Sequence, residues 1–106
     1  HGVPKWYDDA DALIADPEVD VVYVSTPPDS HKEYTLKVIA AGKPVLCEKP
    51  MAINHAECRD MIAAAEAAGV PLWVAYYRRA MPRFVEIKRL LDTGVYARYE
   101  VRGPGA

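Results

Sequence analysis

Three short apolar runs alternate with helix-forming segments along this chain of 106 residues, and this alternation restricts the possible folds more than any other feature. The runs lie near residues 19–25, 44–47 and 70–76, and most of their side chains are apolar, many of them β-branched. Such runs are typical of parallel strands, and the helical segments of ten or more residues between them are long enough for right-handed crossovers. We therefore predict a three-layer α/β fold whose strands are neighbours in chain order, with helices flanking the sheet.

Capping residues and stop signals divide the rest of the chain into four predicted helices. Ser30 and Glu33 have the spacing of a capping box, in which each side chain accepts a hydrogen bond from the other residue's backbone N–H. The last helix carries Phe84, Ile87 and Leu91 on one face, and we expect this face to be buried. The predicted segments run from Asp8 to Ala15, from Ser30 to Gly42, from Asn54 to Gly69 and from Pro82 to Gly94.

Charge and composition argue against several classes of partner. The net charge is −2, so nothing favours binding to nucleic acid or to an anionic membrane, and no apolar stretch has the length of a bilayer span. Residues 1–6 have neither the basic nor the apolar region of a signal peptide. The two cysteines, Cys47 and Cys58, do not have the spacing of a zinc site, and we expect reduced thiols. These observations predict a cytoplasmic protein without a metal site.

Polar and charged clusters follow each of the three predicted strands. Ser25-Thr26-Pro27 follows the first, Glu48-Lys49-Pro50 the second, and Tyr76-Tyr77-Arg78-Arg79 the third. Because the strands are predicted to be parallel, these clusters should gather at one rim of the sheet, where open α/β folds bind their ligands. A lysine at that rim can reach a bound substrate and exchange a proton with it.

Two stretches of this sequence resemble the Gfo/Idh/MocA oxidoreductases, which are NAD(P)-dependent dehydrogenases and reductases of sugars and polyols. The first stretch reads Val-Val-Tyr-Val-Ser-Thr-Pro-Pro-Asp-Ser-His at residues 21–31 and Ala-Gly-Lys-Pro-Val-Leu-Cys-Glu-Lys-Pro-Met-Ala at residues 41–52. The second reads Gly-Val-Pro-Leu-Trp-Val-Ala-Tyr-Tyr-Arg-Arg at residues 69–79. Together they cover almost the whole chain in register, so the match is specific.

The resemblance implies roles for the residues at the rim. Lys49 would be the catalytic residue that donates or accepts the proton of the sugar hydroxyl while hydride moves to or from the nicotinamide. Glu48 would lie near the nicotinamide ribose, and the peptide bond before Pro50 would be cis, as in the family. His31 either contacts the cofactor or only packs and caps its helix. The residues expected to bind NAD or NADP are Ser25, Thr26, Pro27, His31, Glu48 and Arg78.

The family's glycine-rich phosphate loop, Gly-x-Gly-x-x-Gly, does not occur in this sequence, whose glycines are at positions 2, 42, 69, 94, 103 and 105. The resemblance therefore implies that residues 1–97 form the C-terminal half of a Rossmann domain, which would hold the nicotinamide side of the cofactor. A further strand near residues 98–102 would begin a substrate domain, represented by residues 98–106.

The leading functional hypothesis is a fragment of an NAD(P)-dependent oxidoreductase that is inactive by itself. Two alternatives remain at this point: a non-catalytic half-Rossmann module that associates with itself, and a unit that binds a mononucleotide. Self-association is expected because the edge strand at residues 19–24 is apolar and has no lysine or proline to prevent pairing with a second copy. A homo-oligomer through this edge is therefore predicted.

Overall fold

The computed structural model describes residues 1–94 in two compact units, which are considered separately below. Unit 1 extends from His1 to Tyr76, and unit 2 begins at Tyr77. The strand predicted near residues 98–102, and the domain that it would begin, lie outside the described residues.

Unit 1 is built around a three-stranded parallel sheet of β1 (Val22–Val24), β2 (Val45–Cys47) and β3 (Leu72–Val74), in the order β1-β2-β3. This confirms the predicted parallel sheet in chain order. The strands are shorter than the apolar runs from which they were predicted. Prolines directly precede two of them, Pro44 before β2 and Pro71 before β3, and a proline has no N–H to donate to a neighbouring strand.

Four α-helices are described, and their ends follow the predicted caps closely at most positions. The side chain of Asp9 accepts hydrogen bonds from two backbone N–H groups at the start of α1, and the Asn54 side chain accepts one from Glu57 N. Gly69 ends its helix in the left-handed conformation, with φ of 64°. The helices are α1 (Ala10–Ala15), α2 (His31–Ala40), α3 (His55–Ala68) and, in unit 2, α4 (Pro82–Asp92).

The capping box predicted at Ser30 is wrong. Pro28–Ser30 forms a short 3-10 helix, and Ser30 has φ −105° and ψ −3° instead of the extended conformation of a capping residue. Its hydroxyl lies 2.8 Å from both Thr26 Oγ1 and the Pro27 carbonyl oxygen, so it stabilises the preceding turn instead of the helix.

The core of unit 1 lies between the sheet and helices α2 and α3. Val38 of α2, Val45 and Cys47 of β2, and Met61 of α3 are fully buried there. On the opposite face the register places Tyr23 beside Leu46 and Leu46 beside Trp73, and Tyr23 and Trp73 are about half exposed. Cover on both faces of β1 was expected, but the exposure of Tyr23 shows that this face of β1 is partly open within unit 1.

In unit 2, helix α4 begins with Pro82 as its first residue and is followed by Thr93, as the sequence predicted. The prediction that Phe84, Ile87 and Leu91 are buried is wrong, since all three are exposed. The helix is amphipathic in sequence, but burial needs a second element to cover its apolar face. Among the described residues of unit 2, the short 3-10 helix Tyr77–Ala80 is too small to do so.

Asp16, which directly follows α1, anchors the N-terminal segment of the chain. Its buried carboxylate accepts hydrogen bonds from the Tyr7 hydroxyl, the Lys5 ammonium and, at 2.8 Å, Glu18 N. The hydrogen bond from Lys5, followed by that from Glu18 N, lowers the pKa of Asp16 below its ordinary value of 3.8. The sequence alone gave no sign that Asp16 would hold this segment.

Acid is therefore expected to destabilise unit 1 through Asp16. A carboxylate whose pKa is lower in the folded than in the unfolded state stabilises the fold fully above the unfolded pKa, here about 4, and this contribution is lost as the pH falls through the folded pKa. Urea unfolding as a function of pH measures the effect, and Asp16→Asn should reduce the loss of stability below pH ~4. An unchanged pH profile in Asp16→Asn would contradict this role.

Candidate functional site

The segments that follow β1 and β2 lie side by side at one rim of the sheet. Glu48 N donates to the Val24 carbonyl at 2.9 Å, and Ala75 N donates to the Cys47 carbonyl at 2.9 Å, so the three strands stay paired up to this rim. Ser25, Thr26 and Pro27 are exposed after β1, and Lys49 is exposed after β2. The Lys49–Pro50 peptide bond is cis, which confirms the expectation taken from the resemblance.

His31, the first residue of α2, connects these two segments from beneath. Its ring Nδ1 lies 2.8 Å from the Pro50 carbonyl oxygen, and its Nε2 lies 2.7 Å from the Thr26 carbonyl oxygen. The side chain is buried, with 1% of the residue exposed. The cofactor contact predicted for His31 remains a prediction. What the sequence did not reveal is that this imidazole joins the turn after β1 to the turn after β2.

Glu48 is held in place by two hydrogen bonds, one to each carboxylate oxygen. The Tyr23 hydroxyl donates to Oε1 at 2.5 Å, and the backbone N–H of Lys49 donates to Oε2 at 2.9 Å. These bonds, Tyr23 first, lower the pKa of Glu48, and the hydrogen bond to Glu48 raises the pKa of Tyr23. Glu48 therefore orients the backbone of Lys49, and an anion is maintained directly beside the lysine.

Tyr23 is a residue that the sequence analysis did not assign to the site. It lies on β1, and its hydroxyl reaches across to the end of the neighbouring strand. The available signal was the alternation along β1, in which Val22 and Val24 are buried and Tyr23 lies on the other face. The alternation indicates on which face of the sheet Tyr23 lies, but it does not identify the residue with which Tyr23 forms a hydrogen bond.

Replacing Tyr23 with phenylalanine is expected to raise the pKa of Glu48 towards its ordinary value of 4.5, because the largest cause of its lowering is removed. Carboxyl ¹³C chemical shifts of Glu48 followed by NMR against pH measure the change. Tyr76→Phe is a matched control, since it leaves the bond between Tyr23 and Glu48 intact. A Glu48 titration identical in Tyr23→Phe and in the unmodified chain would show that this hydrogen bond is not formed in solution.

Six of the seven predicted site residues belong to unit 1, and they lie in the two turns described above and at the start of α2. Arg78 belongs to unit 2, in the short 3-10 helix Tyr77–Ala80, and its cofactor contact remains a prediction. Within residues 1–94, no group of three or more His, Cys, Asp or Glu residues is arranged to hold a metal ion. None of the described helices is long and apolar enough to cross a membrane.

Comparison with known proteins provides independent evidence. The model of an oxidoreductase family with an NAD-binding Rossmann fold matches residues 1–76. Oxidoreductase P35 of Formosa agariphila is 43% identical over 95 residues, which cover 90% of this chain and 30% of that protein. The trans-1,2-dihydrobenzene-1,2-diol dehydrogenase of Oryctolagus cuniculus is 44% identical over 94 residues, or 89% of this chain and 29% of the dehydrogenase.

A solved structure agrees with these relatives. The aldose-aldose oxidoreductase of Caulobacter crescentus, crystallised with glycerol, superposes with a TM-score of 0.72 at 43% identity, over 79% of this chain and 25% of that one. The chain thus spans about 30% of the length of the curated relatives that it matches.

Proposed function

Because this chain belongs to the Gfo/Idh/MocA family of NAD(P)-dependent oxidoreductases, we propose that it forms the nicotinamide side of a hydride-transfer site for sugars or polyols. The observation that carries the proposal is the joining of the Thr26 turn and the Lys49–Pro50 turn at one rim by His31. A cofactor packed against Thr26 and Pro27 and a substrate beside Lys49 would then be neighbours. Such proximity is what hydride transfer between bound reactants requires.

In the proposed oxidation, a bound nicotinamide would accept the hydride, with its electron pair, that leaves the carbinol carbon of the substrate. The hydroxyl proton passes to the neutral amine of Lys49, and the C–O bond becomes a carbonyl. In the reverse direction the Lys49 ammonium donates the proton. Glu48, close to this lysine in the same turn, would accept hydrogen bonds from the nicotinamide ribose, and Ser25, Thr26, Pro27 and Arg78 would contact the cofactor.

A sugar or polyol is the substrate class that the similar proteins support. One is named for a diol and another for aldoses, and both names describe compounds with hydroxyl groups on adjacent carbons. An amine at Lys49 can serve either substrate, because it exchanges a proton with a hydroxyl whatever the rest of the molecule is. We therefore assign proton transfer to Lys49, and recognition of the rest of the substrate to residues outside this site.

We infer that the isolated chain holds only part of the cofactor. The family's glycine-rich loop places the pyrophosphate at a helix N-terminus, and no such loop occurs in this sequence. Residues 1–97 would be the C-terminal half of the cofactor domain, and residues 98–106 the start of a substrate domain. We also propose a cytoplasmic location, which agrees with the unpaired thiols of Cys47 and Cys58.

Calorimetry with NADH, NADPH and nicotinamide mononucleotide tests this proposal on the isolated chain. The dinucleotides are expected to bind no more tightly than the mononucleotide, because the pyrophosphate and adenosine find no partners. Dinucleotide binding that is about tenfold tighter, equivalent to about 1.4 kcal/mol, would contradict it. So would reduction of a sugar by the purified chain. Tight binding of the mononucleotide alone would instead favour the alternative of a mononucleotide-binding unit.

The exposed edge of the sheet favours a second candidate function, a module that associates with itself. Strand β1 pairs with β2 and, within residues 1–94, with no other strand. Val21 and Tyr23 beside this edge are 55% and 53% exposed. An edge strand with unpaired backbone groups and exposed apolar side chains can pair with the same edge of a second copy. We propose a homodimer through residues 19–24.

Replacing Val21 with lysine is expected to convert the dimer to a monomer at micromolar concentration, as measured by sedimentation equilibrium. Val22, the obvious choice from sequence alone, is unsuitable because it is only 9% exposed and a lysine there would disrupt the core. Val85→Lys, at an exposed position of α4, is the matched control. A monomeric unmodified chain, or an unchanged mass in Val21→Lys, would contradict the dimer.

A further inference from the structure

The hydrogen bonds of His31 require more donors than a neutral imidazole has. Both ring nitrogens lie within 2.8 Å of backbone carbonyl oxygens, and a carbonyl oxygen can only accept a hydrogen bond. A neutral imidazole carries one N–H. Its other nitrogen would therefore point a lone pair at a lone pair of the Thr26 or the Pro50 carbonyl oxygen, and no hydrogen bond would form there. The imidazolium form donates from both nitrogens and satisfies both carbonyls.

We propose that His31 is a positioning residue that joins the Thr26 turn to the Lys49–Pro50 turn only when its ring carries two protons. Loss of one proton would remove one of the two hydrogen bonds and release one turn from the other. The arrangement of the rim would then depend on pH through a buried side chain that acts by holding the two turns. The importance of this pH-dependent link between the two turns for catalysis rests on the proposed function, whereas the link itself does not.

Burial makes this pair of hydrogen bonds consequential. The His31 residue is 1% exposed, so water cannot replace a bond that the ring fails to make. The two bonds also span different parts of the chain, since Pro50 is 19 residues from His31 and Thr26 is 5 residues away. The same ring therefore links two turns that follow different strands.

The ionisable groups around His31 include the Glu48 carboxylate. A positive charge on His31 is the last of the causes that lower the pKa of Glu48, after the hydrogen bonds from Tyr23 and Lys49 N and the charge of Lys49. The ionisable groups on the elements around the ring include Tyr23 on β1, Lys32 and Glu33 on α2, Cys47, Glu48 and Lys49 in and after β2, and His55, Glu57, Cys58, Arg59 and Asp60 in the first turns of α3. Lys32 and Asp60 form an ion pair at 2.7 Å, and Glu48 is the carboxylate whose pKa responds to a charge on His31.

NMR of the unmodified chain tests the proposal without any enzymatic assay. Ring ¹⁵N shifts report which nitrogens of His31 carry protons, and backbone amide shifts report the two turns, both followed between about pH 5 and 8. We expect two ring protons at the acidic end and amide shifts of Thr26, Lys49 and Met51 that change with the same midpoint as the ring. A ring that keeps two protons throughout, with unchanged turns, would also support the joining of the turns.

Two results would overturn the proposal. One is a ring with a single proton at acidic pH, and the other is a titrating ring whose titration leaves the amide shifts of both turns unchanged. His1 and His55, which are exposed, provide internal controls because their titrations should leave these amides unaffected. His31→Asn, which keeps a side-chain NH₂ donor group but has no titratable ring, is expected to lose the pH dependence of the turn amides, and His55→Asn to retain it. If His31→Asn does not fold, the titration of the unmodified chain still decides the question. Failure here would leave the role of Lys49 untouched, since that role is tested by kinetics.

Discussion

Replacing Lys49 with methionine is expected to lower kcat by about 10²–10⁴-fold in a full-length oxidoreductase that contains this segment, because the proton donor and acceptor is removed. Methionine keeps a side chain of similar length without an amine. Cofactor affinity is expected to change little, since the proposed contacts to the cofactor come from other residues. Steady-state kinetics in both reaction directions, together with cofactor binding measured by fluorescence, separate the chemical step from binding.

Lys88→Met is the matched control for this experiment. Lys88 is exposed on α4 and pairs with Asp92 at 2.6 Å, an ion pair four residues apart on one helix, whose loss costs about 0.3–0.5 kcal/mol of stability. The kcat of the Lys88→Met variant should equal that of the unmodified enzyme. If Lys49→Met retained full kcat, Lys49 could not be the residue that moves the proton.

Replacing Met61 with alanine is expected to lower the free energy of unfolding by about 2–5 kcal/mol, since it leaves a cavity in the core. Met61 is fully buried on α3, in the cluster that includes Val38 of α2 and Val45 of β2. The loss is large against the total stability of about 5–15 kcal/mol that is usual for a domain. Urea unfolding, compared at equal m-value, measures the difference.

The next residue of the same helix provides the control. Ile62 is about half exposed, and Ile62→Ala removes a side chain of similar size without leaving a cavity in the core. Alanine also has the higher helix propensity, so part of the lost contact is compensated. Equal destabilisation by the two substitutions would show that the cluster around Met61 is not the core of unit 1.

The fold was largely predictable from sequence because its signals are local. Short β-branched runs, helices long enough for crossovers, and caps such as Asn54 and Gly69 each act within a few residues, and together they specify a parallel sheet in chain order. The family's residue pattern added the cis bond before Pro50 and the position of Lys49 after β2. The structure confirms the sheet, the cis bond and the position of Lys49 after β2, and the similar proteins share the fold.

What the sequence could not predict depends on contacts between distant parts of the chain. The hydrogen bond from Tyr23 to Glu48 joins residues 25 apart, and that from His31 to Pro50 joins residues 19 apart. The spacing of apolar and polar residues along a sequence does not indicate which residues so far apart form hydrogen bonds with each other. The Ser30 capping box was wrong for a related reason, since the Thr26 turn provides partners that compete for the Ser30 hydroxyl. The exposed apolar face of α4 shows that an amphipathic sequence predicts a helix but not which other element, if any, covers its apolar face.

The most direct test of the central claim is a crystal structure of an oxidoreductase containing this segment, with NAD(P) and a sugar or polyol bound. The account predicts the nicotinamide ring against Thr26 and Pro27, with Lys49 Nζ at about 2.6–3.2 Å from the hydroxyl oxygen on the carbon that exchanges hydride. A nicotinamide bound elsewhere, or a reacting hydroxyl beyond the reach of Lys49, would contradict it.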